Sequence, residues 1–229
     1  MAKTIVVCGY GPGVSDAVAR KFGSEGFSVA IVGRNKERLA AGVAALEKSG
    51  VKAAAFPADL ADPAAVGTMI AAVKKQLGAI TVIHWNPMAA SAGDITTADV
   101  ADLRAVLDTN VTGLVAAVQG ALPDLKGQAG AAILVSNGGA AYDTPEMNAM
   151  AADYGFMGLS IGKAAQNKTV AVLAEKLRAD GIYVGQVVIN GSVKGTIFDS
   201  GNATLAGSDV ADKFWSLYQE RKQVSANYP

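Results

Sequence analysis

The segment Cys8-Gly9-Tyr10-Gly11-Pro12-Gly13-Val14-Ser15 lies between a β-branched run, Thr4–Cys8, and a stretch of helical periodicity, Val14–Ser24. Glycines allow positive φ angles and let the backbone approach a ligand closely. The first amides of a helix carry a partial positive charge that suits a phosphate. A strand, a glycine-rich turn and a helix in this order predict a pyrophosphate-binding loop of the G-x-G-x-x-G kind, with Val14 in place of the third glycine.

Runs of β-branched residues alternate with Ala- and Leu-rich stretches along the rest of the chain. This alternation predicts an α/β fold, a single-domain Rossmann fold over residues 1–229, with a doubly wound parallel sheet of six or seven strands and helices on both faces. The predicted strands are apolar throughout, as is typical of burial on both faces, and are Thr4–Cys8, Ser28–Val32, Lys52–Phe56, Ile80–His84, Ala131–Val135 and Tyr183–Ile189. The predicted helices are Val14–Ser24, Lys36–Ser49, Pro63–Gln76, Thr97–Leu122, Gly158–Ala179 and Asp209–Arg221. Residues 190–229 are expected to form a substrate-side loop, a helix and a tail, Gln223–Tyr228, that can add a seventh strand.

The composition argues against several classes of function. The 20 basic and 20 acidic residues cancel, and without a basic run the chain is not expected to bind nucleic acid. A single cysteine, Cys8, and a single histidine, His84, predict neither an internal disulfide nor a metal site. No apolar stretch is expected to reach the ~20 residues that span a bilayer. The start lacks the long apolar core of a signal peptide, so a cytoplasmic protein is expected.

The end of the second predicted strand, Gly33-Arg34-Asn35-Lys36, indicates which dinucleotide the loop binds. A site specific for NAD places Asp or Glu here, whereas a guanidinium pairs with the 2′-phosphate of NADP through two hydrogen bonds. The alternative for Arg34 is an ordinary exposed charge, although a helix start is an unfavourable place for a cation. The alternative for the loop is a glycine-rich turn without a ligand. The sequence predicts NADP(H), and the predicted contacts are Gly9, Gly11, Pro12, Gly13, Val14 and Arg34.

With these features in place, the chain resembles the short-chain dehydrogenase/reductase family over nearly its whole length. The family motifs occur in order, several of them altered, as Cys8, Gly9, Gly13 and Ser15 in the phosphate loop, Asp59-Leu60, Asn86, Asn110-Val111-Thr112-Gly113, and Asn190 with Thr196. The resemblance implies that Asp59 and Leu60 contact the adenine and that Asn86 and Thr196 belong to the cofactor site. It also implies a homodimer or homotetramer paired through the long helices that follow the fourth and fifth strands.

The resemblance also locates four catalytic positions, of which two are altered. In the family a Ser, a Tyr, a Lys and an Asn act on the hydride acceptor, and the Tyr transfers the proton. Here Leu159 occupies the tyrosine position and Asn137 the serine position, while Asn110 and Lys163 are retained. The resemblance implies that Lys163 holds the nicotinamide ribose, that Asn110 orders a water near it, and that Asn137 donates a hydrogen bond to the substrate oxygen.

Leucine cannot transfer a proton, so another donor is needed if the chain is an enzyme. Tyr142 lies in the long connection Gly138–Met157, whose length favours a binding loop, and is the candidate donor; the alternative is a surface aromatic. Tyr154 would lie on the helix face opposite the lysine. His84 ends the fourth predicted strand beside the expected nicotinamide site, but a packed histidine is the favoured interpretation.

Two functions are consistent with these features. The first is an NADP(H)-dependent oxidoreductase acting on a neutral, partly apolar carbonyl compound, with the proton supplied by a non-standard donor or by water. The second is a non-catalytic NADP(H)-binding protein that senses redox state or regulates a partner. The missing tyrosine favours the second function, and the otherwise complete cleft with its long pocket segment favours the first.

Overall fold

The computed structural model describes residues 3–229, which contain one parallel sheet. Its strands are β1 Lys3–Cys8, β2 Phe27–Gly33, β3 Ala53–Pro57, β4 Ile80–Trp85, β5 Ala132–Gly138, β6 Tyr183–Ile189 and β7 Ser225–Tyr228. They lie in the order β3-β2-β1-β4-β5-β6-β7. The predicted α/β class and doubly wound parallel sheet are confirmed, and the tail supplies a seventh strand by pairing with β6.

Helices pack against both faces of this sheet. They are α1 Val14–Ser24, α2 Lys36–Lys48, α3 Pro63–Leu77, α4 Val100–Leu107, α5 Gly113–Gly127, α6 Pro145–Asp153, α7 Met157–Leu177 and α8 Gly207–Glu220. Polar side chains start several of them, because the first amides of a helix lack partners within it. Asn35 Oδ1 accepts from the Arg38 amide at 2.8 Å, and Asp62 Oδ1 accepts from the Ala64 amide at 2.9 Å.

Two apolar layers, one on each face of the sheet, form the core. The alternation along β1 shows the division, because successive side chains of a strand point to opposite faces. Val6 and Cys8 join the layer that includes α3, α5 and α7, whereas Ile5 and Val7 join the layer that includes α1, α2 and α8. All four side chains are fully buried. Burial of this kind, at about 25 cal/mol per Å² of apolar surface, is the main source of stability.

The strand order reverses at β1, which pairs with β2 on one side and with β4 on the other. In an open parallel sheet such a reversal leaves a crevice outside the carboxyl ends of the two central strands. Gly9 follows β1 directly, and Asn86 follows β4. The Asn86 amide donates to the Cys8 carbonyl at 3.1 Å, so the two strand ends lie side by side. The predicted phosphate loop therefore lies at the crevice.

The segment predicted as one helix, Thr97–Leu122, is interrupted. α4 ends at Leu107, a π-turn spans Asp108–Thr112, and α5 begins at Gly113. A Cβ atom at position 113 would lie 2.0 Å from the Leu60 carbonyl oxygen, so this close packing requires glycine. Single π-turns within helices recur at functional sites, and this one carries Asn110, the first residue of the segment Asn110-Val111-Thr112-Gly113.

The long connection between β5 and α7 is structured rather than an open loop. It contains a 3-10 turn, Gly139–Ala141, and the helix α6. Thr144 Oγ1 accepts from the Met147 amide at 3.2 Å, and Pro145 occupies the first position of α6. A Thr cap followed by Pro is a helix-start pattern that the sequence contains and the sequence prediction missed.

The helical stretch Val100–Gly127 corrects one expectation from composition. It is 28 residues long, and its most apolar window has a mean hydropathy of 1.3, which meets the length and composition of a membrane span. Its residues Leu114, Ala117 and Ala121 are fully buried in the layer shared with the sheet and α3. Packing in the core accounts for the apolar character of these three positions.

Candidate functional site

A cleft of about 920 Å³ opens at the carboxyl ends of the strands. Its walls come from the loop after β1, the ends of β2, β4 and β5, the first turns of α7, and the loop between β6 and α8. These elements belong to both halves of the sheet, and the strand reversal at β1 separates them. The cleft therefore occupies the place where parallel α/β sheets bind ligands.

The glycine loop forms one wall of the cleft through close backbone contacts. Gly9 has a φ of 77°, and a Cβ atom there would lie 2.5 Å from the Pro87 nitrogen. Gly13 has a φ of 86°, and a Cβ atom there would meet the Thr196 Cγ2 atom at 2.6 Å. Both positions therefore require glycine, because an L side chain is strained at such angles and would also clash.

Ser15 braces this loop from within. Its Oγ accepts from the Gly11 amide at 2.9 Å and lies 3.0 Å from the Gly9 carbonyl oxygen, which can accept its hydroxyl proton. Serine at the last motif position, where the family pattern has glycine, therefore ties the turn together. The loop residues that line the cleft are Gly9, Tyr10, Gly11, Pro12 and Val14, whereas Gly13 lies at the start of α1, beneath Thr196.

Two guanidinium groups line the cleft at the end of β2. Arg34 is the predicted one, and Arg38, one turn into α2, is a second that sequence reasoning missed. The signal is local, because Asn35 caps α2 and the cap places Arg38 in the first turn of that helix, next to the end of β2. Both arginines are exposed. This end of the cleft can therefore pair with a phosphate or another anion through two cations.

The predicted adenine contacts follow β3, the edge strand that pairs with β2. Asp59 and Leu60 line the cleft together with Asn86, as the sequence predicted. Asp59 Oδ1 accepts from the Ala61 amide at 3.0 Å, which holds the carboxylate in place. Tyr10, unassigned from sequence, also lines the cleft, and its hydroxyl donates to Asp16 Oδ1 at 2.7 Å. Burial and this contact with a carboxylate raise the pKa of Tyr10, which keeps its phenol neutral.

Lys163 lies at the opposite end of the cleft, with Leu159 one turn before it on α7. The lysine side chain is 7% exposed, and its Nζ donates to the Ser136 carbonyl at 3.2 Å and to Gln166 Oε1 at 2.9 Å. Burial lowers the pKa of Lys163 to about 8. Leucine thus lines the cleft beside the lysine, where the resemblance placed the family's tyrosine.

The resemblance predicts that Asn110 orders a water near Lys163, whereas its hydrogen bonds in the structure are to Val106 and Gln166. Its side chain is fully buried, and its Nδ2 donates to the Val106 carbonyl at 2.8 Å. The backbone carbonyl of Asn110 accepts from Gln166 Nε2 at 3.1 Å. Gln166, which was not predicted as a site residue, thus connects Lys163 Nζ to the backbone of Asn110, while Asn110 Oδ1 has no hydrogen-bond partner among the described residues.

Asn137 lines the cleft but does not offer its amide as expected. Its Nδ2 donates to Gln186 Oε1 at 3.0 Å and to the Lys163 carbonyl at 3.4 Å. Its Oδ1 accepts from the Gly138 amide at 3.0 Å. Because both amide protons are directed into the protein, the expected hydrogen bond to a substrate oxygen would require this side chain to rotate away from Gln186.

The expectation that Tyr142 folds into the cleft is not met. Its hydroxyl donates to Asn227 Oδ1 on β7 at 2.7 Å, which turns the ring to the edge of the sheet. Tyr154 is 79% exposed. Among the described residues that line the cleft, Tyr10 is the one tyrosine, and it belongs to the phosphate loop. Leu159 therefore leaves the lysine end of the cleft without a phenol.

His84 is a packed histidine, as favoured from the sequence. It is fully buried, its ring meets Phe214 edge-on with centroids 4.8 Å apart, and its Nε2 lies 3.2 Å from Ser136 Oγ. Burial lowers its pKa to about 3, so the ring is neutral at physiological pH. It does not line the cleft and has no direct access to a ligand there.

Apolar side chains from two loops form part of the cleft wall. The loop between β6 and α8 contributes Val193, Ile197 and Phe198, and the loop after β4 contributes Met88. Ile197 is 82% exposed and Phe198 is 50% exposed, so the loop presents apolar surface at the mouth of the cleft. This wall can hold a neutral molecule and has no charged group to select an ionic one.

Comparisons with known proteins agree with this geometry. The profile of a family described as short chain dehydrogenase matches residues 3–204. Oxidoreductase asL5 of Sarocladium schorii is 32% identical over 187 residues, which are 80% of this chain and 69% of that protein. Meso-2,3-butanediol dehydrogenase of Serratia marcescens is 27% identical over 185 residues, 81% of this chain and 69% of that protein. A short chain dehydrogenase of Burkholderia cenocepacia J2315, solved in complex with NADP, has a TM-score of 0.84 and 26% identity, covering 98% of this chain and 95% of that chain.

Proposed function

Because the chain belongs to the short-chain dehydrogenase family, we propose that it is an NADP(H)-dependent oxidoreductase acting on a small neutral carbonyl or alcohol substrate. One observation carries the proposal: a single continuous cleft has two guanidiniums at one end and a buried lysine at the other. The glycine loop lies between them at the crevice, where positive φ angles and tight contacts leave backbone rather than side chains against a ligand. These features fit a phosphorylated dinucleotide.

Arg34 and Arg38 select the cofactor in this proposal. Each guanidinium can form charge-assisted hydrogen bonds with the oxygens of a 2′-phosphate. β2 ends at Gly33 and is followed by Arg34 and Asn35, so no carboxylate is present there to accept from an unmodified ribose hydroxyl. The short chain dehydrogenase of Burkholderia cenocepacia J2315, solved with NADP, supports the same cofactor here.

Lys163 holds the ribose at the other end of the cleft. Its ammonium lies at the cleft wall with two donors satisfied inside the protein, and it can donate to a ribose hydroxyl. Bound NADPH supplies the hydride that reduces the substrate. The apolar wall of Met88, Val193, Ile197 and Phe198 holds the substrate and excludes ionic molecules.

Water supplies the proton in this proposal. Leu159 has no exchangeable proton, Tyr142 hydrogen-bonds to β7, and Asn137 has its amide protons directed into the protein. With a phenol missing, hydride transfer to a carbonyl would leave an alkoxide that takes its proton from water. General acid catalysis typically contributes 10²–10⁴-fold, so a slow reaction is expected.

NADPH oxidation against a panel of neutral aldehydes and ketones tests the proposed activity. The expected result is slow turnover that depends on the carbonyl substrate and yields the corresponding alcohol. Tight NADPH binding with no turnover across the panel would instead favour a non-catalytic NADP(H) sensor or regulator. Leu159 at the tyrosine position is the observation that favours that second function.

We also propose that two copies of the chain associate through the faces that carry α4, α5 and α7. Exposed apolar side chains on this region, Val100 at 66%, Ile161 at 37% and Val172 at 50%, are the observation behind it. A homodimer or homotetramer in analytical ultracentrifugation is expected, with Val172→Glu shifting the distribution towards monomer. A monomer at all concentrations would contradict it.

A further inference from the structure

Gln166 is a buried glutamine one turn after Lys163 on α7, and it has no assigned role in the proposed function. Its side chain is fully buried and does not line the cleft. Its Oε1 accepts from Lys163 Nζ at 2.9 Å, and its Nε2 donates to the Asn110 carbonyl at 3.1 Å. One side chain therefore connects the lysine to the π-turn.

The hydrogen bonds of Lys163 show how Gln166 can orient the lysine ammonium. An ammonium has three N–H donors. Gln166 Oε1 takes one, and the Ser136 carbonyl takes another at 3.2 Å. Because two acceptors inside the protein fix the ammonium, its third donor is directed by the fold and is free for a ligand in the cleft that Lys163 lines.

Close packing between α7 and the π-turn brings Gln166 within reach of Asn110. A Cβ atom at position 162 would lie 2.4 Å from Val106 Cγ1 and 3.0 Å from Asn110 Nδ2, so Gly162 allows the two helices to meet. A water in this place would lose entropy on being immobilised. A side-chain amide is already attached to the helix that carries the lysine.

We propose that Gln166 is a positioning residue that holds the Lys163 ammonium towards the ribose of the cofactor, in place of a water between the lysine and Asn110. The proposal rests on the proposed cofactor site. Gln166 acts through Lys163 and touches neither cofactor nor substrate.

The pKa of Lys163 reports changes in the acceptor at position 166, because the surroundings of the ammonium are buried and uncharged. Burial lowers its pKa to about 8, and both acceptors that face its ammonium are uncharged. None of the titratable groups on the elements packed against α7 pairs with Lys163 in the described structure or is a cause of its lowered pKa. Those groups are Asp102, Arg104, Asp108, Glu146, Asp153, Arg178, Asp180 and Tyr183. An uncharged acceptor at position 166 stabilises the ammonium, and a carboxylate would stabilise it further.

The test measures NADPH affinity by fluorescence titration from pH 7 to 10. The 2′-phosphate, with a pKa near ~6, is ionised throughout this range. Affinity of the unaltered protein is expected to fall above about pH 8, as Lys163 loses its proton. Gln166→Leu is expected to weaken binding about threefold, less than the loss of the lysine itself, and to move this break to lower pH. Gln166→Glu, of the same shape, is expected to move the break to higher pH.

Gln186→Leu is the matched control. Gln186 is also a buried glutamine, but it bonds to Asn137 rather than to the lysine ammonium, so its loss should leave the break in place. The positioning role would be overturned if the pH above which affinity falls is unchanged in both Gln166 variants, or if it moves in the same direction in both. If Gln166→Leu does not fold, an unshifted break in Gln166→Glu alone overturns it. Absence of NADPH binding by the unaltered protein at every pH would overturn the proposed cofactor site itself.

Discussion

The two ends of the cleft differ in how closely they follow the family pattern. At the phosphate end, the glycine loop, Asp59 and Arg34 all line the cleft where the sequence predicted them. At the lysine end, Leu159 replaces a tyrosine and Gln166 connects Lys163 to the backbone of Asn110. The contrast indicates that cofactor binding and proton transfer depend on different residues at opposite ends of one cleft. Binding depends on backbone shape and several charges, whereas proton transfer depends on one side chain.

Restoring a phenol at the altered end should have the largest effect. Leu159→Tyr places a hydroxyl one turn before Lys163 on the same helix face, where the ammonium lowers the pKa of the phenol. Carbonyl reduction is expected to rise by about 10²–10⁴-fold, the usual contribution of general acid catalysis. The measurement is NADPH oxidation with a neutral ketone.

Leu159→Phe is the control for the size of the ring, because it fills the same space without a proton. It should bind NADPH as the tyrosine variant does and show no gain in rate. A folded, NADPH-binding Leu159→Tyr protein no faster than Leu159→Phe would show that more than the phenol has been lost from this end.

Removing charge from the phosphate end should weaken one cofactor selectively. Arg34→Ala is expected to reduce NADPH affinity by about 10- to 150-fold, since a hydrogen bond to a charged group contributes about 1.5–3 kcal/mol. NADH affinity should stay nearly constant. Adding Arg38→Ala should reduce NADPH affinity further, whereas Arg178→Ala, in the exposed 3-10 turn Arg178–Asp180 that follows α7, should change neither affinity. A parallel loss for both cofactors would place Arg34 outside the 2′-phosphate site.

Replacing Lys163 should weaken the binding of NADPH and of NADH by a similar factor. Lys163→Met keeps the length of the side chain and removes the donor to the ribose, which both cofactors share. About a tenfold loss of affinity is expected for NADPH and for NADH, within the range for a charged hydrogen bond. Calorimetric titration of both cofactors measures it. Affinities equal to those of the unaltered protein would mean that Lys163 does not contact the cofactor.

The smallest effect is expected at Tyr142. Tyr142→Phe removes the hydrogen bond to Asn227 at the edge of the sheet, which should cost about 0.5–1.5 kcal/mol of unfolding free energy. NADPH binding and reduction rates should not change, because the hydroxyl lies away from the cleft. A fall of tenfold or more in turnover, with binding intact, would return Tyr142 to the role of proton donor.

Most helices and strands, and the phosphate end of the cleft, could be predicted because the sequence patterns that specify them are local. Apolar runs fix the strands, and glycines with positive φ fix the loop, as at Gly9 and Gly13. The lysine end could not be predicted in full because its contacts join distant segments. The bond from Tyr142 to Asn227 spans 85 residues, and that from Gln166 to Asn110 spans 56. Neither pairing is visible in local sequence pattern.

Two further features, the interruption of the long helix and the structure of the β5–α7 connection, were not predicted, and they differ in whether the sequence carries a local signal for them. The π-turn at Asp108–Thr112 replaces continuous helix where Gly113 packs against the Leu60 carbonyl, a tertiary contact that helical periodicity does not reveal. The start of α6, in contrast, carries Thr144 and Pro145, a cap signal that is present in the local sequence.

Calorimetric titration of the unaltered protein with NADPH and with NADH tests most directly whether the phosphate end of the cleft selects the cofactor. Two guanidiniums and the absence of an acid after β2 predict at least tenfold tighter binding of NADPH, equivalent to about 1.4 kcal/mol. Equal affinities, or tighter binding of NADH, would contradict the assignment of the arginine end to a 2′-phosphate.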